Sequence, residues 1–78
     1  MTQPVINNLG VDCYTRGKNA LISRLKKLKT TVSVEDGGCY HMDENYSQVH
    51  VDTFLTESEL DDWLYKNNLG YCGTFERK

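Results

Sequence analysis

The apolar positions of this chain change their spacing several times, and each change marks an element. Residues 11 to 15, Val-Asp-Cys-Tyr-Thr, alternate apolar and polar, the period-two pattern of a half-buried strand. From Lys18 to Lys29 the apolar residues are Leu21, Ile22, Leu25 and Leu28, a helical stripe at intervals of three and four. Thr30 to Glu35 returns to alternation in β-branched residues, with Val32 and Val34 expected to face the core. Asp36-Gly37-Gly38 then offers the positive-φ positions of a tight hairpin, so Cys39 to Met42 reads as a returning strand. Asp43-Glu44-Asn45 reads as the next turn, and Ser47 to Phe54 as a strand with Val49 and Val51 on one face. The alternative is a single longer hairpin in which residues 39 to 46 are irregular.

Thr56-Glu57-Ser58-Glu59 has the form of a capping box, and Leu60, Trp63 and Leu64 supply the buried stripe of a second helix through Asn67. Glu57, Glu59, Asp61 and Asp62 crowd its first turns, where the helix dipole favours negative charge. Asn68-Leu69-Gly70 is a left-handed stop, and Tyr71 to Phe75 resumes strand alternation. Ahead of all this, Pro4, Asn7-Asn8 and Gly10 are turn chemistry, with Val5 and Ile6 a short edge strand at most. The pattern predicts one compact domain over residues 1–78, irregular over 1–10 and frayed over 76–78. Its fold class is α+β: an antiparallel sheet of four to five strands with two helices on one face, in the ferredoxin-like order βαββ(β)αβ.

Length and composition narrow the class without naming a reaction. With 78 residues, 38% of them hydrophobic, the chain can build one small two-layer core but cannot enclose a large cofactor. No apolar run reaches membrane-spanning length, and the start of the chain has no secretory pattern. Cys13, Cys39 and Cys72 are odd in number and not spaced as a framework, which predicts free thiols in a cytoplasmic, reducing setting. Cys13 and Cys72 read as small apolar side chains buried in strands. The only close pair of soft ligands, Cys39-x-His41, falls short of the paired spacing of a structural zinc site. No metal or cofactor is expected, and no enzyme: phosphate loops and HExxH are absent, and a cysteine nucleophile would need more concave space than so small a core leaves.

Charge is the most uneven property. Before residue 30 the chain carries Arg16, Lys18, Arg24, Lys26, Lys27 and Lys29 against Asp12 alone, whereas residues 30–65 hold nine acids and no lysine or arginine. Side-by-side helices could simply complement one another, each exposed pair contributing about 0–1 kcal/mol. The functional expectation is an acidic docking face of Asp43, Glu44, Asp52, Glu57, Asp61 and Asp62, with Tyr40, Tyr46 and Tyr65 beside it, recognising a partner protein with a basic surface. The alternative is a nucleic-acid module that uses Arg24, Lys26, Lys27 and Lys29 of the first helix. The net charge of −2 and pI near 5.5 speak against a protein that coats nucleic acid.

The stretch Phe54–Tyr65, with Phe54, Thr56, Glu59-Leu60, Trp63, Leu64 and Tyr65, resembles the strand exit and helix of small phage anti-CRISPR proteins of the type I-F group. The resemblance covers that stretch alone. It implies a class, small phage proteins that bind and block a host complex as inhibitors, and it assigns no binding residues.

Overall fold

The computed structural model describes residues 5–40 and 43–77, Tyr40 by its backbone only. Strand β1 (Asn7–Tyr14) is followed by a single 3-10 turn (Thr15–Gly17) and helix α1 (Lys18–Lys26). Strands β2 (Thr31–Tyr40) and β3 (Asp43–Thr53) come next, then helix α2 (Glu57–Lys66) and strand β4 (Tyr71–Glu76). The chain is therefore α+β, a four-stranded antiparallel sheet in the order β2-β3-β1-β4 with two helices. None of the described helices is long and apolar enough to cross a membrane.

The core follows from matched periods. Leu9, Val11 and Cys13 of β1 and Val49 and Val51 of β3 point to one side of the sheet. There they join Leu21 and Leu25 of α1 and Leu60 and Leu64 of α2 in one buried cluster. Two buried hydroxyls in this layer are satisfied. Thr53 donates to the Thr30 carbonyl at 3.0 Å and accepts from the Leu55 N–H at 3.1 Å. Ser47 shares a 2.7 Å hydrogen bond with Thr15. Helix α2 starts at the expected box: the Thr56 hydroxyl accepts the Glu59 N–H at 3.2 Å and the Glu59 carboxylate accepts the Thr56 N–H at 2.9 Å. It ends beside Asn68, at φ 53°, and Gly70, at φ 59°.

Several expectations need correction. The first strand begins at Asn7, so Asn7-Asn8 and Gly10 lie inside it, while Val5 and Ile6 precede it. The Asp36-Gly37-Gly38 stretch is a bulge within β2 instead of a hairpin turn, and no separate strand follows it. Asp36 does bond as in a turn, its carboxylate accepting the Gly38 N–H at 2.8 Å, and Gly38 sits at φ 84°. The extra residue is absorbed while pairing with β3 continues, Asp36 opposite Val49 and Cys39 opposite Ser47. Strand β3 begins at Asp43, which pairs with Tyr40, so the expected Asp43-Glu44-Asn45 turn lies inside that strand; His41 and Met42, expected to end a third strand, lie outside the described residues.

A second bulge at the start of β2 makes Val32 the extra residue and leaves it exposed, so only Val34 packs on the core. Trp63 is half-buried against the core and Cys72 is exposed at a bulge of β4, whereas Cys13 alone among the thiols is buried. Glu76 also belongs to β4, and the Arg77 N–H still donates to the Asn8 carbonyl at 2.8 Å, so the tail is paired through that residue.

Candidate functional site

Both helices pack on one face of the sheet, and among the described residues no helix covers the other, the open face. Alternation places Asn8, Gly10, Asp12 and Tyr14 of β1 on the open face, because Leu9, Val11 and Cys13 are in the core. Glu44, Tyr46, Gln48, His50 and Asp52 of β3 face the same way for the same reason. Pairing arranges these residues in rows across the strands. One row is Ser33, Asp52 and Asn8; the next is Glu35, His50, Gly10 and Phe75. Gln48, Asp12 and Gly73 follow, and then Tyr46 and Tyr14.

Two rings occupy space that glycines leave free. A side chain at Gly10 would stand 2.2 Å from the Phe75 ring, and one at Gly37 would stand 2.7 Å from Nε2 of His50. Tyr14 and Tyr46 stack obliquely, centroids 5.4 Å apart at 34°, and the Arg16 guanidinium sits 5.6 Å above the Tyr14 ring. These three residues, with Thr15, Glu44 and Asn45, line a shallow pocket of about 580 Å³. Thr15 fixes its floor by donating to the Glu44 carbonyl at 2.6 Å.

Asp52 is the best-bonded carboxylate of the face. Asn8 donates to it at 2.7 Å, Ser33 at 2.8 Å, and Arg77 forms an ion pair with it. These donors, Asn8 first, then Ser33 and Arg77, hold its pKa below the ordinary carboxylate value against the opposing effect of burial. A depressed folded-state pKa means stability present above the unfolded value of about 3.9 and lost as pH falls through the folded one. Asp52→Asn is therefore expected to cost about 1–2 kcal/mol at neutral pH. The difference from wild type should shrink progressively as pH falls below the unfolded value of about 3.9. Urea titrations across pH 2–7 measure it, and a gap of constant size would contradict the assignment.

The acidic residues singled out in the sequence are divided between two sides. Glu44, Tyr46 and Asp52 lie on the open face. Asp43 opens β3 and accepts the Asn45 N–H at 2.9 Å, a local structural task. Asp61, Asp62 and Tyr65 belong to α2, in the helix layer on the far side of the sheet. Asp61 accepts from the Tyr71 hydroxyl at 2.9 Å, Asp62 pairs with Lys66 at 3.0 Å, and Tyr65 is 77% exposed. Glu57 sits beside Thr74 of β4 at the start of the same helix. The Tyr40 side chain and His41 lie outside the described residues. No single acidic face unites these groups.

The helices do not neutralise one another either. Among the described residues no ion pair joins α1 to α2, and their polar link is Arg24 donating to the Asn67 amide oxygen at 3.0 Å. Lys18 instead reaches Asp36 of β2 at 2.8 Å, which lowers the pKa of that carboxyl below its usual value. Lys26, Lys27 and Lys29 are exposed at the end of α1. The described residues hold no group of three or more His, Cys, Asp or Glu placed to bind a metal.

Asp12, Tyr14, Arg16, Glu35, His50 and Phe75 were not expected at a site. The alternation that places the β1 residues on this face runs through residues 8–14, whereas the turn-forming Asn8 and Gly10 mask its first half. Comparison with known proteins returns no match: no family model, no curated protein and no solved structure.

Proposed function

We propose that this chain is a small non-enzymatic interaction protein of the phage host-blocking kind, and that it docks its open sheet face on a basic surface of a host protein. We also take its β-α-β-β-α-β element order as ferredoxin-like. One observation carries the functional reading: the uncovered face of the sheet presents Tyr14, Tyr46 and Phe75 among the acids Asp12, Glu35 and Glu44. Rigid aromatic rings give contact area at small entropic loss, and the surrounding carboxylates select a basic partner and speed its approach.

Aromatic rings on an open four-stranded sheet also suit single-stranded nucleic acid. The acids on the face oppose phosphate, which supports a protein partner over nucleic acid. The exposed Lys26, Lys27 and Lys29 keep a second reading in view, a nucleic-acid contact through α1 on the other side of the molecule.

Affinity purification from the native host supplies the partner, and two double reversals test the reading on it. Glu35→Lys with Glu44→Lys should slow association at least tenfold at low salt and remove most of its salt dependence. Asp61→Lys with Asp62→Lys, on the far side, should leave the rate within about twofold. The opposite ranking would transfer the docking surface to α2. Saturable binding of a thymidine oligonucleotide, lost in Lys26→Glu with Lys27→Glu, would favour the nucleic-acid reading.

A further inference from the structure

We infer that Asp12, at the middle of the open face, is the anchor for an arginine side chain of the basic partner, received in a notch beside Gly73. The inference rests on the docking reading above and narrows it to one contact. Asp12 lies opposite Gln48 of β3 and Gly73 of β4. One of its carboxylate oxygens is buried and has no hydrogen-bond partner among the described residues. Leaving a carboxylate oxygen unpaired is costly, so a cation that reaches the half-buried Asp12 carboxylate from the open face is favoured.

The space for that cation is beside it. A side chain at Gly73 would meet nothing within 4 Å, so the β4 position flanking Asp12 is open. The rows on either side are aromatic. Phe75 lies over Gly10 in one direction, and Tyr14 with Tyr46 closes the other, each about 7 Å along the strands. A carboxylate between aromatic walls suits a planar, weakly hydrated guanidinium better than a compact ammonium. The cation on this face nearest in sequence, Arg16, is held above the Tyr14 ring instead. Asp12 differs here from Asp52, whose oxygens are already taken by Asn8, Ser33 and Arg77.

The probe is the capped tripeptide acetyl-Gly-Arg-Gly-amide, titrated into the isotope-labelled full chain and followed by amide NMR shifts. Saturable shifts are expected at Asp12, Gly73, Phe75 and Tyr14, with the lysine counterpart binding several-fold more weakly. Asp12→Asn, nearly isosteric, should weaken the arginine peptide roughly tenfold. Gly73→Leu fills the notch without altering the carboxylate and should abolish the shifts, which keeps the test decisive if Asp12→Asn does not fold. Retained dispersion of the Val11 and Leu60 resonances establishes that each variant is native.

Binding by Asp12→Asn within twofold of wild type, or equal binding of the lysine peptide, would overturn the assignment. Shifts confined to Asp61 and Asp62 would do the same. If Asp12→Asn binds normally while Glu35→Lys with Glu44→Lys still loses the host partner, the notch fails and the docking face stands. If the face neither shifts with peptide nor responds to reversal, both fall.

Discussion

Leu60→Ala is expected to bring the domain to the edge of unfolding at room temperature. Leu60 is fully buried and meets Leu64, the α1 leucines and the β1 and β3 valines in a single small cluster. Truncating such a leucine removes its transfer energy and leaves a cavity, together about 2–5 kcal/mol. A chain of this size has about 4–12 kcal/mol of total stability, with small domains towards the low end. At about 4–8 °C per kcal/mol, the melting temperature should fall by some tens of degrees. Tyr65→Ala, five residues further along the same helix and 77% exposed, should change stability by less than about 0.5 kcal/mol. Urea melts of the two variants side by side check the contrast. Equal, small losses would mean that α2 does not bury the face carrying Leu60.

The helices were readable in the sequence because stripe and cap agree. Leu21 and Leu25, Leu60 and Leu64 repeat at four-residue spacing, and the Thr56–Glu59 box fixes the start of α2 on its own. Strand ends were harder for a physical reason. Asn, Asp and Gly serve turns and bulges through the same bonds, so Asp36-Gly37-Gly38 carries turn chemistry inside a continuous strand. What distinguishes the two is pairing across β3, which lies ten or more residues away. Gly10 misled in the same way: it is a glycine because the Phe75 ring lies where its side chain would stand.

The site was less legible than the fold. Counting acids along the chain grouped Glu44 with Asp61, although the sheet separates them. Sequence proximity cannot tell the two faces of a strand apart from those of a neighbouring helix until the register is known. Asp12 is the single acid in a basic stretch of sequence, yet in space it sits between Gln48 and Gly73, far along the chain. Its one-residue offset from Val11 and Cys13 is what turns it outward.

Cys13 should prove the slowest thiol by at least three orders of magnitude, which tests the central placement of β1 directly. The described chain has three free cysteines, with Cys39 and Cys72 exposed and Cys13 buried between β3 and β4. Burial, and after it the neighbouring Cys72, raises the Cys13 pKa from 9.0 to about 11. That shift lowers its thiolate fraction at pH 8 about a hundredfold, before any steric protection is counted. Access for a reagent such as dithiobis-nitrobenzoate then requires opening of the sheet. For a global stability near 5 kcal/mol the open fraction is about 10⁻⁴, so labelling should follow the unfolding equilibrium. In native buffer two thiols per chain should react in one fast phase and the third over hours. Added urea should accelerate only the third, and Leu60→Ala should accelerate it by the factor that its lost stability dictates. Three equal rates in native buffer would contradict the fold, because a central strand cannot expose a core-facing thiol while its ladders to β3 and β4 are intact.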